Sequence, residues 1–572
     1  EEGIRFAIEG VSPTRVESDR NGCRMEAGRV KVSECLHKPY QRAYELGWAS
    51  TSDSKEFGGM GAPATIGLIV SEAINGANLG LGMFFGLTSG AAKLIETFGS
   101  KILKEKYIAK MYKGQYTGTM CLSEPHAGSD VGAGITSAES LGDGVYKIKG
   151  TKCWISSGDS DLGENVIHAV LARVKGAPDG TKGLSLFVVP YFRVRDDGSL
   201  GDWNDVTVAS IENKMGIHSS PTAVLSFGEN DNCMGWILGS EGQGMAAMFQ
   251  MMNTARIFTG LIGLSLGGVA YENAKTYSYE RVQGTNISKT RDLNAERVSI
   301  IEHPAVRLNL INMKSRVEAM RALIYFTAFE FDLERIAETD DEKENRQNLI
   351  DLLTPMCKGW CTEVGLEVVQ TGLQVLGGVG YTKDFPLEQM YRDARISTIY
   401  EGTTDIQALD LIGRKILRND GALFQQLMGH YSELINEHKD HQEIGQLINI
   451  FEGYCESLYE TSMSTQAILK ERGIESVTLY ATPFLMFISS VTAGWLLLQQ
   501  AVVASEQLSK IRSKEGLEDL DDSEFLVKNE KTLFYSNKLK TTRYFLEAVI
   551  PQYQALLEGG KKQNFVALEI TF

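Results

Sequence analysis

The feature that most constrains the fold is a change in the spacing of apolar residues near Gln115, which reverses near Gly242. Before Gln115 the apolar residues recur at helical spacing, as in the amphipathic segment 100–114. After it come short runs, bounded by Gly, Asp or Pro, that alternate with polar residues or are uniformly apolar. The pattern therefore predicts a mainly α protein with a middle β domain. The predicted strands are 145–149, 168–174, 184–190 and 223–227.

The second helical region contains long segments with few interruptions. It runs from Gly242 to about Arg418, and Pro355 is expected to kink its last segment. Long helices joined by loops are typical of a helix bundle. The segments are 245–270, 306–333 and 350–376.

A chain of 572 residues is too long for a single hydrophobic core. Near its start, residues 62–92 carry Glu72 as their only charge, which predicts buried helices. The changes in periodicity predict four domains. These are an N-terminal helical domain (1–118), a middle β domain (119–232), a C-terminal helical bundle (233–415) and an additional helical domain (416–572).

Residues 476–505 contain no charged side chain, and their length alone permits a transmembrane helix. Pro483 and several Ser, Thr and Gln residues dilute their hydrophobicity, however. We therefore favour a helix buried in a bundle or subunit interface, and keep membrane association as the alternative. The charged stretch 510–531 is expected to be a solvated surface.

Charge and cysteine usage exclude other classes of protein. The formal net charge of −16, with no clustered basic face, argues against nucleic-acid binding. Eight scattered cysteines fit a reducing compartment, and we expect a cytoplasmic protein. Cys357 and Cys361 could share a helix face, but without a nearby His they are expected to be buried thiols and not metal ligands. The chain opens without Met and without a signal segment, as expected of a missing or processed N-terminus.

One stretch, 399–407 (IYEGTTDIQ), is suited to proton transfer. Glu401 stands in an apolar-aromatic setting before a glycine, two threonines and a helix-like pattern. A carboxylate just before a turn into a helix can reach a substrate while backbone N–H groups bind an oxyanion. We interpret Glu401 as the general base of a flavoenzyme, although the stretch alone would equally suit a surface helix cap.

Three further stretches could contact a planar or phosphorylated cofactor. The loop 120–130 offers hydroxyls and glycine after a strand, but an ordinary turn would look the same. Trp154 with Ser156 suits the face and edge of an aromatic ring, whereas a core Trp is the common alternative. The paired glycines in 374–381 could be a helix C-cap or a close approach to a diphosphate.

Together these stretches resemble the acyl-CoA dehydrogenase family, in which CLSEPHAGSD, WIS, QVLGG and YEGTT occur in this order at similar separations. The resemblance runs from about Tyr44 to Arg418. The extra C-terminal region and the segments 214–224 and 248–256 further resemble the larger branch that includes 3-methylmercaptopropionyl-CoA dehydrogenase. The resemblance to the family implies a fold of N-terminal helices, a β-barrel-like middle domain and a four-helix bundle, followed by the additional helical domain.

The resemblance also implies how FAD and substrate are bound. FAD would lie between domains and subunits, with part of its site supplied by a neighbouring subunit. Residues matching FAD contacts are Leu122, Ser123, Trp154, Ser156, Arg281, Gln283, Gln374, Gly377, Gly378, Thr403 and Asp405. Residues matching contacts to the acyl-CoA are Ser129, Arg256, Tyr400 and Gly402.

Two positions depart from the family pattern. Pro304 stands where the family has a Gln near FAD, so that contact is lost or replaced. Ala255 stands where some branches place the base, and Ala cannot accept a proton. Glu401 is therefore the only candidate base at the two family locations.

The implied reaction is α,β-dehydrogenation of an acyl-CoA to the trans-2-enoyl-CoA, with electrons passed to an electron-transfer flavoprotein. The implied assembly is a homodimer or a higher homo-oligomer. An acyl-CoA oxidase that uses oxygen is the first alternative. A binding or repair-associated family member with little dehydrogenase activity is the second, and its expected basic C-terminal face is missing from this acidic sequence. No motif specifies the acyl chain.

Overall fold

The computed structural model describes residues 1–417, 421–515 and 529–571. The chain divides into two compact units, residues 1–258 and 259–572. The helix Gly244–Glu280 begins in the first unit and continues into the second. Most of the predicted charged surface, at 516–528, lies outside the described residues.

The first unit opens with helices, as predicted. A two-stranded hairpin, Arg24–Glu26 with Arg29–Lys31, interrupts them. Periodicity could not predict it, because three residues per strand are too few. Its turn residues Ala27 and Gly28 both have positive φ (50° and 78°), as a tight hairpin turn requires. The helices are Glu2–Phe6, Arg15–Asn21, His37–Glu45, Ala64–Ala77, Leu79–Phe98 and Lys101–Met111.

The predicted apolar segment 62–92 forms two helices that separate at Asn78. Asn78 adopts an extended backbone (φ −158°, ψ 99°). Its buried amide nitrogen donates to the hydroxyl oxygens of Thr14 and Ser18, each at 3.0 Å. These hydrogen bonds compensate the broken helix, and the following turns of the second helix are buried.

An eight-stranded sheet forms most of the rest of the first unit, and all four predicted strands belong to it. Its first strand, Tyr116–Cys121, pairs in parallel with Asn165–Val174. It is the strand expected before the loop 120–130, but its bounds were not predicted, because Thr117 and Thr119 interrupt its apolar pattern. Both threonines are buried, and the hydroxyl of Thr119 lies 2.7 Å from Nδ1 of His168. The sheet order is Val206–Ile211, Thr222–Phe227, Val145–Ser156, Met234–Leu238, Leu184–Pro190, Asn165–Val174 and Tyr116–Cys121, with Ser137–Gly142 beside Val145–Ser156 and Asn165–Val174. Two short strands, Phe192–Val194 and Leu200–Trp203, pair separately.

The second unit is helical, with one hairpin, Val282–Thr285 with Arg297–Ser299, among its described residues. The long predicted bundle helices are present, and one of them, Asp340–Leu376, continues through Pro355. The helices are the rest of Gly244–Glu280, then Pro304–Ile336, Asp340–Leu376, Leu387–Arg395, Thr404–Asp410, Ala422–His438, Gly445–Arg472, Ile474–Thr478, Ala481–Glu515, Glu530–Tyr544, Ile550–Ala555, Glu558–Lys561 and Val566–Glu569.

Most of the uncharged window 476–505 lies in the helix Ala481–Glu515. Within the described part of the chain, this is the one helix long and apolar enough to cross a membrane, and 89% of its apolar window is buried inside the structure. The hydroxyl of Thr492 lies 2.7 Å from that of Tyr431, and a Cβ on Gly494 would stand 2.9 Å from the Ile550 side chain. This burial favours the interpretation as a core helix.

Cys357 and Cys361 are fully buried in the helix Asp340–Leu376, as expected for structural thiols. The Cys357 sulfur lies 3.2 Å from the hydroxyl of Thr327. Burial raises the pKa of the Cys357 thiol to about 12 and that of Cys361 well above its ordinary value.

Candidate functional site

In the first unit, a buried ion pair joins the loop after Tyr116–Cys121 to the strand Val145–Ser156. Lys152 Nζ lies 2.8 Å from Glu124 Oε1, and both side chains are only 2% exposed. The same ammonium donates to the carbonyl oxygen of Leu122 at 2.8 Å, and the amide of Cys153 donates to the carbonyl of Ser123 at 3.0 Å. Leu122 and Ser123 are therefore held rigidly against the strand that carries Trp154 and Ser156.

The Glu124 carboxylate also closes the loop that carries Ser129. It accepts hydrogen bonds from the backbone amides of Ile135 at 2.8 Å and Thr136 at 3.0 Å. Burial raises the pKa of Glu124, but the Lys152 charge and these donors outweigh it and hold the pKa below its ordinary value. Ser129 lies on the exposed side of this closed loop.

Trp154 presents its ring outward, so its interpretation as a core side chain is wrong. It is 62% exposed, although its neighbours Cys153 and Ile155 are buried. Its φ of 61° lies in the left-handed region, which is uncommon for a residue with a Cβ and is found at functional sites. Ser156, two residues on, pairs with Thr222 of the adjoining strand. The sheet therefore offers an exposed aromatic face with a hydroxyl-bearing residue nearby.

In the second unit, Glu401 lies in a tight turn before the helix Thr404–Asp410. Glu401 and Gly402 both have left-handed backbones, with φ of 57° and 83°. Thr403 caps the helix, since its hydroxyl accepts from the amide of Ile406 at 3.3 Å. The helix-cap interpretation of Glu401 is therefore wrong. The half-buried Glu401 carboxylate belongs to the turn.

The turn rests on buried polar groups that sequence reasoning missed. Gln407, 0% exposed, donates from Nε2 to the carbonyl oxygens of Glu401 at 3.1 Å and Gly402 at 3.3 Å. The buried ammonium of Lys358 donates to the Thr398 carbonyl at 3.2 Å. One signal was available for Gln407: it shares a buried helix face with Ala408 and Leu411, where a polar side chain needs a partner.

Tyr400 precedes Glu401 and is a neutral phenol at physiological pH. Burial raises the pKa of Tyr400, and the Glu401 charge raises it further, while a hydrogen bond with Thr259 opposes both. The phenol can therefore donate a hydrogen bond but does not add a second negative charge beside Glu401.

The glycine pair ends the helix Asp340–Leu376. Gly377 has φ 65°, and its amide donates to the carbonyl oxygens of Leu373 and Gln374, so the C-cap interpretation is confirmed. A Cβ added to Gly377 or Gly378 would meet no atom within 4 Å. Gln374 is exposed beside them. The backbone of the glycine pair therefore also has open space beside it, as the close approach of a diphosphate would require.

The other residues of the second unit that were predicted to contact FAD lie on its surface. Arg281 precedes the exposed strand Val282–Thr285, and Gln283 is its second residue. The Gln283 carbonyl oxygen lies 2.7 Å from Nε2 of His303. Pro304 is the first residue of the helix Pro304–Ile336, a position that needs no N–H donor. Asp405 is exposed and accepts a hydrogen bond from Thr482.

In the first unit, Arg256 and Ala255 lie on the helix Gly244–Glu280. Arg256 is 5% exposed, with its guanidinium carbon 5.9 Å from the centre of the Phe249 ring. Ala255 is partly buried against the first unit's core. The first unit thus groups Leu122, Ser123, Trp154 and Ser156. The second unit holds Tyr400, Glu401, Gly402 and Thr403 in one turn, with Asp405 in the helix that follows, and Gln374, Gly377 and Gly378 at the C-terminal end of the helix Asp340–Leu376.

Family models match nearly the whole chain. Those described as the acyl-CoA dehydrogenase N-terminal, middle and C-terminal domains match residues 5–115, 119–229 and 242–417. A fourth, described as acetyl-CoA dehydrogenase C-terminal like, matches residues 427–569. The last match covers the additional helical region that the larger branch was expected to have.

Individual relatives and structures agree with these matches. The chain is 36% identical to 3-methylmercaptopropionyl-CoA dehydrogenase of Ruegeria pomeroyi, over 89% of this chain and 86% of that one. It is 36% identical to a butyryl-CoA dehydrogenase of Syntrophomonas wolfei, over 98% and 90%. The fold matches a Bacillus anthracis acyl-CoA dehydrogenase complexed with FAD at a TM-score of 0.74 and 21% identity, over 100% of this chain and 88% of that one.

Proposed function

The chain belongs to the acyl-CoA dehydrogenase family of flavoprotein oxidoreductases, and from this premise we propose that it uses FAD and Glu401 to convert an acyl-CoA into the trans-2-enoyl-CoA. The observation that carries the proposal is the turn at Glu401. Thr403 caps the following helix, and the carboxylate is half-buried beside a neutral Tyr400. A carboxylate so placed is suited to accepting a proton and not to closing a helix.

The residues present fit a flavin dinucleotide. Trp154 offers an exposed aromatic face beside Leu122 and Ser123, which the Lys152–Glu124 pair holds in place. Gly377 and Gly378 leave open space where a diphosphate could approach the backbone. Leu122, Ser123, Trp154 and Ser156 would hold the ring system. Arg281, Gln283, Gln374, Gly377, Gly378, Thr403 and Asp405 would hold the remainder, some of them across a subunit interface of at least a dimer.

The reaction removes a proton from Cα of the acyl group and a hydride from Cβ. Bound FAD would supply the hydride acceptor, N5 of its ring system. The Glu401 carboxylate takes the α-proton, since Ala255 at the other family position cannot. The Glu401 backbone N–H donates to the thioester oxygen and stabilises the developing enolate charge. Ser129, Arg256, Tyr400 and Gly402 would contact the acyl-CoA, as the family resemblance implies.

For the substrate we propose a small acyl-CoA, because the two relatives described above are named for methylmercaptopropionyl-CoA and butyryl-CoA. For the electron acceptor we propose an electron-transfer flavoprotein. Anaerobic bleaching of the flavin band against a panel of acyl-CoAs tests the first proposal. Peroxide formation without an electron-transfer flavoprotein would instead identify an oxidase.

The test of the catalytic proposal is Glu401→Gln in the FAD-loaded protein. We expect unchanged FAD content and turnover lower by roughly 10²–10⁴-fold, the usual contribution of a general base. Glu471→Gln, at an exposed carboxylate elsewhere, is the matched control and should behave as wild type. Near-normal turnover in Glu401→Gln would remove Glu401 from this role, and a protein that cannot be loaded with FAD would refute the flavoenzyme proposal.

A further inference from the structure

The Glu401 turn has an unfavourable backbone that its surroundings must hold. Glu401 and Gly402 are consecutive left-handed residues, with φ of 57° and 83°. Glycine adopts this conformation readily, but a residue with a Cβ does so only where neighbouring contacts keep it there. The direction of the Glu401 side chain therefore depends on whatever supports its backbone.

A buried amide supports this backbone. Gln407 Nε2 donates to the Glu401 carbonyl at 3.1 Å and to the Gly402 carbonyl at 3.3 Å. The nitrogen has two hydrogens, so it can serve both oxygens, whereas the amide oxygen in its place would face two carbonyl oxygens. Gln407 is 0% exposed, so water does not compete for these bonds.

The helix that carries Gln407 is itself anchored. The hydroxyl of Thr404 donates to Glu363 Oε1 at 2.6 Å and lies 3.3 Å from the Thr398 carbonyl. Lys358 donates to that same carbonyl at 3.2 Å. These hydrogen bonds fix the helix Thr404–Asp410 against the neighbouring helix Asp340–Leu376. Gln407 connects this fixed helix to the Glu401 turn.

We propose that Gln407 is a positioning residue for the dehydrogenation, acting through Glu401. By holding two successive carbonyl oxygens it sets the direction of the Glu401 carboxylate and of the Glu401 N–H. This inference rests on the proposed role of Glu401 as base. A side chain that only filled space would be replaceable by one of similar volume, which gives the proposal its test.

The experiment compares Gln407→Met, which keeps the volume and removes the amide, with Gln389→Met as matched control. Gln389 is also buried, but its amide donates to Asp393 at 3.3 Å in the preceding helix. For Gln407→Met we expect kcat to fall by roughly 10–100-fold with KM changed less than about threefold, as for a misaligned catalytic group. FAD content and the flavin absorbance spectrum should match wild type. A kcat within twofold of wild type, or an equal loss in Gln389→Met, would overturn the proposal.

A second readout isolates proton abstraction from the redox step. A 3-thia-acyl-CoA has no β-hydrogen to lose, so exchange of its α-hydrogens in D₂O, followed by NMR, reports the base alone. We expect Gln407→Met to slow this exchange as it slows turnover. If Glu401→Gln retains exchange, the proposed function fails. If Glu401→Gln abolishes exchange and Gln407→Met leaves it unchanged, only the inference about Gln407 fails.

A second variant covers the case in which Gln407→Met does not fold. Gln407→Glu keeps the side-chain shape and loses its last donor hydrogen when the new carboxyl ionises. Its kcat relative to wild type should therefore fall as pH rises through the pKa of that carboxyl. A wild-type kcat at every pH would overturn the proposal.

Discussion

The ammonium of Lys152 lies 2.8 Å from a Glu124 carboxylate oxygen, and each side chain is 2% exposed. The two residues are 28 positions apart in the chain, and each borders a stretch proposed to contact FAD. Four hydrogen bonds complete the arrangement, from Lys152 to the Leu122 carbonyl, from Cys153 to Ser123, and from Ile135 and Thr136 to Glu124. The pair therefore defines the relative position of the loop and the strand.

Lys152→Met should destabilise the protein by about 3–5 kcal/mol, because it leaves a buried carboxylate without its cation. Lys152→Met combined with Glu124→Gln should recover part of that loss, since no buried charge remains. Lys147→Met on the same strand is the control. Because its partner Asp231 is exposed, little change in stability is expected. Urea unfolding monitored by circular dichroism measures all three, and a Lys152→Met protein as stable as wild type would contradict the structure.

Trp154 should report FAD binding without any need for turnover. Titrating apoprotein with FAD should quench tryptophan fluorescence, and Trp154→Phe should remove a distinct part of that quenching. Trp154→Ala should weaken FAD binding by roughly tenfold, a typical loss for one aromatic contact. Trp203→Phe is the control, since Trp203 is also partly exposed but donates to the Val206 carbonyl at 2.9 Å in a separate hairpin. Quenching that is identical in Trp154→Phe and wild type would remove Trp154 from the proposed site.

Asp53 should make stability depend on pH. Burial raises the pKa of Asp53 from an ordinary 3.8 to about 6. The Ser89 hydroxyl, which donates to the carboxylate at 2.6 Å, and the charge of Lys93 both lower the pKa, whereas the charge of Glu96 raises it. The folded state therefore favours the protonated form. The contribution of Asp53 to the free energy of unfolding, about 3 kcal/mol, is fully present below pH 3.8 and is lost as pH rises through 6.

Asp53→Asn is the corresponding test. It should be more stable than wild type by up to about 3 kcal/mol at pH 8, and by roughly half as much at pH 5. The exposed Asp179→Asn should show no such pH-dependent difference. Urea unfolding at both pH values measures the free energies of unfolding. A difference in stability between Asp53→Asn and wild type that does not grow from pH 5 to pH 8 would count against the raised pKa.

The helix Ala481–Glu515 provides its own matched pair of substitutions. Ala493 is 0% exposed and Val503 is 53% exposed. Ala493→Lys should destabilise the protein severely, by at least about 3 kcal/mol, because it buries an unpaired charge, whereas Val503→Lys should change stability by roughly 0.5 kcal/mol or less. Carbonate extraction of cells should release the protein from membranes. Retention after extraction, with a tolerated Ala493→Lys, would support the membrane alternative.

Sequence reasoning succeeded where one local pattern dominates. The apolar period of 100–114 predicted the helix Lys101–Met111, and the run 184–190 is the strand Leu184–Pro190. It expected a strand before the loop 120–130 but did not define Tyr116–Cys121, because Thr119 is buried only where His168 supplies a partner from another strand. A polar residue in a strand is ambiguous until the strand beside it is known.

The candidate site shows the same division. Motif order alone identified the family and singled out Trp154 and the proposed base Glu401, because those residue types are required by the proposed chemistry and stand in short contiguous stretches. The turn conformation of Glu401 and the partners of Gln407 were decided by tertiary structure. The Lys152–Glu124 pair was too, because a buried polar group is stable only beside a partner that chain folding brings to it. The sequence by itself thus determined the chemistry available to this protein, and tertiary packing determined which polar groups hold that chemistry in place.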